Sequence, residues 1–171
     1  MSTSEKTRFL HDELFSMTLM ATVQRGRVYR SDATDAEKAS FQAELRRQLQ
    51  ATAATYSAKK TDAAHADNIA ALSESLSTSH GAILLDGRFR IGSAQKALNL
   101  FLKYLWCIGE VPEPPHCPFD FQIITKLPRA ARCNWTELDS IETYRALVAA
   151  ARTSAAGQSL ADWELAEYNG A

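Results

Sequence analysis

The stretch SAQKALNLFLKYLWCIG, residues 93–109, decides the fold. On a helix with about 100° between successive residues, apolar side chains cover most of its circumference and leave one narrow polar stripe. The stripe consists of Gln95, Lys96, Asn99 and Lys103, with Trp106 beside them. Because a helix that is apolar nearly all round is usually buried, the sequence predicts a central buried helix at residues 93–108. Its polar stripe should face something specific.

Other segments also show helical spacing of apolar residues or helix-capping patterns. They predict helices near residues 5–24, 34–56, 61–76, 119–127, 144–152 and 159–168. Ser93 is expected to cap the central helix, and Asp86-Gly87 is typical of the turn of a short β-hairpin at residues 82–91. A length of 171 residues suits one hydrophobic core. The prediction is a mainly α, single-domain bundle (1–171) of about five to seven helices, with the hairpin as an optional addition.

Charge is balanced overall but unevenly distributed along the chain. The formal net charge of -1 excludes a generally basic protein that coats nucleic acid. Residues 87–109 nevertheless contain no acidic side chain, whereas residues 134–171 contain six acidic and two basic ones. The acidic C-terminal region therefore suggests one class of function, an interaction module that binds a protein partner or a second copy of the chain. Two other classes of function remain.

The first function hypothesis places a phosphate-bearing ligand, a nucleic acid or a nucleotide, on the polar stripe. Ammonium groups separated by amide donors suit a phosphate, free N–H groups near Ser93 would add to the site, and an indole can stack on a base. The predicted ligand-binding residues are Arg88, Arg90, Gln95, Lys96, Asn99, Lys103 and Trp106. The alternative is that both lysines extend from a buried helix to ordinary solvent, with the two amides at its edge.

The second hypothesis is an enzyme that acts on such a ligand. All five prolines lie between residues 112 and 128, and they brace the segment PPHCPFD. Within it, His116 is a candidate general acid or base oriented by Asp120. The alternative gives Asp120 a helix-capping role and His116 a structural hydrogen bond.

Metal and cofactor sites are not predicted. Four candidate zinc ligands, Cys107, His116, Cys117 and Cys133, have spacing unlike that of zinc sites. The glycines do not form a phosphate-binding loop. Three cysteines without a signal-peptide pattern predict a cytoplasmic protein, with no membrane partner. His65 is expected to be a solvated helix residue.

Overall fold

The structure, a computed structural model, describes residues 4–170. Residues 1–3 and 171, which the single-domain prediction also covers, lie outside the described residues. The described chain forms seven α-helices: α1 (Glu5–Leu19), α2 (Asp35–Ala53), α3 (Asp62–His80), α4 (Ile91–Cys107), α5 (Phe121–Ile124), α6 (Ile141–Ala155) and α7 (Leu160–Asn169). A π-helical turn, Met20–Gln24, extends α1. The prediction of a mainly helical bundle is confirmed.

Helix α4 is the centre of this bundle. It packs against α1, α2, α3 and α6, and its residues are buried from Ile91 to Asn99. The large apolar side chains Leu98, Phe101 and Leu102 are at most 2% exposed. The wide apolar arc thus produces the predicted central burial. In residues 4–170, no helix combines the length and apolar character that crossing a bilayer requires.

The start of α4 differs from the prediction, because the helix begins at Ile91 and Ser93 lies inside it. The Gly92 amide donates to the Leu138 carbonyl at 2.8 Å, and the Ile91 amide donates to Asp139 at 3.3 Å. A Cβ on Gly92 would lie 1.7 Å from the Trp135 carbonyl oxygen, three residues before Leu138, so only glycine allows this close approach. The first amides of α4 are therefore bonded within the protein and are not free for a phosphate.

The β-hairpin predicted at residues 82–91 does not form in the described chain. Two 3-10 turns, Gly81–Ile83 and Leu85–Gly87, occupy the segment. Its extended residue Leu84 makes an isolated antiparallel bridge with Tyr29. The backbone hydrogen-bonding groups that a hairpin would pair internally are taken by residues 28–30 instead, for example in the 2.9 Å bond from the Arg30 amide to the Ile83 carbonyl.

Candidate functional site: a buried polar network and a lysine cavity

The polar stripe of α4 faces the protein interior. Gln95 and Asn99 have no exposed surface, and Lys96 and Lys103 are 4% and 8% exposed. Buried polar groups are costly unless they are paired, so the partners of these side chains determine what the stripe does. The stripe divides into two parts, the amides of Gln95 and Asn99 and the ammonium groups of Lys96 and Lys103.

Asn99 is the centre of a buried hydrogen-bond network. Its Oδ1 lies 2.6 Å from His65 Nε2, and its Nδ2 donates at 3.2 Å both to Gln95 Oε1 and to the Tyr144 hydroxyl. Gln95 in turn makes two bonds to the Phe119 backbone, donating to its carbonyl at 2.7 Å and accepting from its amide at 3.1 Å. The two amides thus tie α4 to α3, to α6 and to the proline-rich segment.

The network extends from Asn99 along two arms, and each arm contains one buried histidine. His65 Nδ1 lies 2.7 Å from the Tyr56 hydroxyl, and His116 Nδ1 lies 2.7 Å from the Tyr144 hydroxyl. The two imidazole rings meet edge to face, with centroids 4.6 Å apart. His65, predicted to be solvated, is instead fully buried because α3 presents this face to α4.

The partners fix the direction of each hydrogen bond. Tyr144 accepts from Asn99, and its own hydrogen has one available acceptor, His116 Nδ1, so the proton of neutral His116 is on Nε2. Asn99 Oδ1 can only accept, so His65 also carries its proton on Nε2. Burial lowers the pKa of His65 to about 4 and that of His116 further, which keeps both rings neutral near neutral pH.

One atom at the end of this chain of bonds has no partner. His116 Nε2 is buried without a hydrogen bond in the described structure. Its nearest acidic neighbour is Asp62, whose Oδ1 is 3.4 Å away. Burial alone would raise the pKa of Asp62, but hydrogen bonds from Arg152 at 2.6 and 3.1 Å lower it. Asp62 is therefore a carboxylate held mainly by an arginine.

His116 and Asp120 take different partners, and no hydrogen bond or ion pair in the described chain joins them. Asp120 caps α5 by accepting from the Ile123 amide at 3.1 Å, and its other carboxylate oxygen lies 3.8 Å from Lys96 Nζ. The structure thus separates the predicted acid–base pair because Asp120 turns toward α4. Asp62, 54 positions before His116 in the chain, lies beside the imidazole instead.

The thiols considered as zinc ligands lie in different environments. Cys117 is buried, Cys107 is exposed and Cys133 is intermediate. Burial raises the pKa of the Cys117 thiol well above its ordinary value, which disfavours the thiolate that binds metal. Within residues 4–170, no group of three His, Cys, Asp or Glu side chains has a metal-binding arrangement.

Lys96 is a buried cation with weak compensation. Its Nζ lies 4.3 Å from the centroid of the Trp135 ring and 3.8 Å from Asp120, a distance at the limit of an ion pair. No described residue accepts a hydrogen bond from it. Burial lowers its pKa, the Asp120 carboxylate opposes that effect, and nearby Arg25 adds to it. A neighbouring anion would therefore stabilise the charged form.

Lys103 is fully compensated, in contrast to Lys96. Its ammonium donates to Glu164 at 2.6 Å, and both side chains are at most 10% exposed. It also lies 4.9 Å from the centroid of the Tyr168 ring. Burial raises the pKa of Glu164, and the bond from Lys103 opposes the shift.

The two lysines line one cavity between α1, α4 and α7, which we call the lysine cavity. Its volume is about 430 Å³. Its charged lining residues are Arg25, Lys96, Lys103, Asp120 and Glu164, which leave one positive charge in excess. Three exposed side chains, Met17, Met20 and Tyr168, form an apolar part of its wall.

The remaining predicted binding residues do not line this cavity. Arg88 pairs with Asp139 and Glu74, and Arg90 pairs with Asp86 and donates to the Thr136 carbonyl. Trp106 is half-buried outside the cavity. Three of the four cations of the acid-free stretch, Arg88, Arg90 and Lys103, are thus closely paired in the fold, partly with the acidic C-terminal region through Asp139 and Glu164.

Several residues that the structure makes important were not among the predicted site residues. They are Tyr56, Asp62, His65, Tyr144 and Arg25. The spacing of His65 and Ile69 on one helical face, next to an alanine-rich pattern, was a signal that His65 is buried. No comparable signal marks Tyr144 or Arg25, since their roles depend on contacts between distant segments.

Comparison with known proteins assigns no family to this chain, because no family model, curated protein or solved structure matches it. A function for this chain therefore has to be inferred from the geometry of the site.

Proposed function

We propose that this protein binds a small phosphate-bearing ligand, such as a mononucleotide, in the lysine cavity. The observation that carries the proposal is Lys96: its side chain is only 5% exposed, and its ammonium, at the wall of a cavity of about 430 Å³, has no hydrogen-bond acceptor among the described residues. Buried charges in proteins are normally paired and hydrogen-bonded. A phosphate oxygen beside Lys96 would supply the missing acceptor.

Arg25 supports an anionic ligand at the same place. It is exposed, lines the cavity and has no ion-pair partner in the described chain. Its charge contributes to the lowered pKa of Lys96, so the two cations are near enough to repel each other. A phosphate between them would relieve that repulsion and accept charge-assisted hydrogen bonds from both.

The cavity wall favours a small ligand with an aromatic part. Tyr168 is 60% exposed and offers a ring on which a base can stack. The other predicted phosphate-binding cations, Arg88, Arg90 and Lys103, are paired internally, and the chain carries a net charge of -1. A polymer needs a row of free cations along its backbone, so a mononucleotide fits better than a nucleic acid.

The test is a calorimetric titration with AMP, adenosine, inorganic phosphate and a single-stranded RNA oligonucleotide. AMP should bind, and adenosine should bind more weakly because it lacks the phosphate. Lys96→Met keeps the apolar stem of the side chain, and Arg25→Gln replaces the charged guanidinium by a neutral amide. Each should weaken AMP binding by about tenfold, the effect of one charge-assisted hydrogen bond.

Lys59→Gln is the matched control, because it removes the same charge from an exposed lysine outside the cavity. Its affinity for AMP should equal that of the wild type. Cys107 lines the cavity and is exposed, so in a Cys133→Ser background AMP should also slow its alkylation. No binding of AMP, or equal affinities for wild type and Lys96→Met, would contradict the proposal. If RNA binds more tightly than AMP and its binding weakens steeply with salt, the ligand is a nucleic acid and not a mononucleotide.

A further inference from the structure

A second pocket, between α3 and α6, adjoins the free end of the buried network. Its volume is about 300 Å³, and its lining includes Asp62, His116, Arg145, Val148, Ala149 and Arg152. None of these residues lines the lysine cavity. We propose that this pocket binds a small monocarboxylate with an apolar tail, whose carboxylate accepts a hydrogen bond from His116 Nε2 and pairs with Arg145.

The unpartnered His116 Nε2–H is the main observation. The side chain is 1% exposed, and Nε2 makes no well-formed hydrogen bond in the described structure: its nearest acceptor, Asp62 Oδ1, lies 3.4 Å away and already accepts from Arg152 at 2.6 Å. A buried donor left unpaired costs about 1–3 kcal/mol. A ligand that supplies an acceptor at this atom therefore removes an existing penalty.

The network also strengthens this donor. Along the path from Tyr56 to His116 the hydrogen bonds run in one direction, from Tyr56 to His65, to Asn99, to Tyr144 and then to His116. Successive bonds of one direction polarise each other, so this path strengthens the final N–H as a hydrogen-bond donor. The same bonds fix the orientation of the imidazole before any ligand arrives.

The charges around the pocket select a single negative charge. Asp62 is neutralised by the two hydrogen bonds from Arg152, which leaves Arg145 as the excess cation. Arg145 has only an exposed pair with Asp67 at 3.3 Å, which a ligand can replace at little cost. A phosphate dianion would meet stronger repulsion from Asp62 than a carboxylate would.

The apolar part of the pocket selects a hydrocarbon tail. Val148 and Ala149 lie on the face of α6 that lines it, together with Ala63 from the first turn of α3. Small ligand sites are typically apolar with few directed polar groups, and this pocket has that composition. We therefore expect affinity to rise with the length of the tail until the pocket is full.

The experiment titrates the 15N-labelled protein with butyrate, hexanoate, hexanol and inorganic phosphate, and follows the imidazole nitrogens by NMR. Hexanoate should bind more tightly than butyrate and shift the His116 Nε2 resonance. Hexanol and inorganic phosphate, which lack the carboxylate and the tail respectively, should leave that resonance unchanged. Arg145→Gln should weaken hexanoate binding by about three- to tenfold, as expected for a half-exposed ion pair.

Two leucine variants of α6 form a matched pair. Ala149→Leu narrows the pocket and should weaken hexanoate binding, whereas Ala146→Leu, exposed on the same helix but outside the pocket, should bind as the wild type does. Lys96→Met should also bind hexanoate normally, so this proposal and that for the lysine cavity can fail separately. An unchanged His116 resonance with hexanoate, equal binding of phosphate, or full binding by Ala149→Leu would overturn the inference.

Discussion

Asn99→Leu tests the network at its centre. The substitution approximately keeps the side-chain volume and removes all three hydrogen bonds of the amide. His65 Nε2–H is then left buried without an acceptor, which costs about 1–3 kcal/mol. Tyr144 and Gln95 each lose one donor but keep another partner, at about 0.5–1.5 kcal/mol each. After an apolar gain of about 1–2 kcal/mol from leucine, the net loss in unfolding free energy should be about 1–4 kcal/mol.

Urea unfolding at neutral pH, followed by far-UV circular dichroism, measures this loss. Leu102→Met is the control, because Leu102 is fully buried on the same helix and a volume-conserving apolar exchange costs less than about 1.5 kcal/mol. If Asn99→Leu is as stable as the control variant, the amide does not join the two histidine arms, and the assigned donor directions are wrong.

Three further stability measurements follow from the packing and charges. Gly92→Ala should lower the unfolding free energy by about 1–3 kcal/mol or more, because its Cβ would lie 1.7 Å from the Trp135 carbonyl oxygen. Acid should destabilise the protein: between pH 6.5 and about 4 the unfolded chain protonates His65 while the folded protein does not, so His65 alone lowers stability by on the order of 3 kcal/mol as the pH drops through this range, and His116 adds to the loss in the same direction, measured as urea midpoints. Lys103→Met should cost about 3 kcal/mol because it leaves Glu164 buried and unpaired, and adding Glu164→Leu should recover most of that loss in the same assay.

Each of these measurements has a contrary outcome. If Gly92→Ala is as stable as the wild type, the start of α4 does not pack closely against residues 135–138. If the unfolding free energy stays constant between pH 6.5 and about 4, His65 can be protonated in the folded protein. If the double variant Lys103→Met, Glu164→Leu is no more stable than Lys103→Met, the loss does not come from an unpaired Glu164 carboxylate.

The sequence predicted the fold better than the site. Apolar spacing and capping residues such as Thr34 and Thr61 are local signals, and they located the main helices. The hairpin prediction failed because Leu84 pairs with Tyr29, a residue from another part of the chain. The start of α4 was also wrong, since a backbone segment more than 40 positions away, not Ser93, satisfies its first amides.

The amino-acid sequence by itself determined that one helix would be buried and that its polar face would have to be satisfied. Only the tertiary structure decided how. Asn99 bonds to residues 34 and 45 positions away, and Lys103 to one 61 positions away. Helical periodicity is set by neighbouring residues, whereas hydrogen bonds and ion pairs need atoms within about 3–4 Å, so distant partners become neighbours only when the helices pack. For the same reason, the structure separates two cations of one stripe into a paired Lys103 and an uncompensated Lys96.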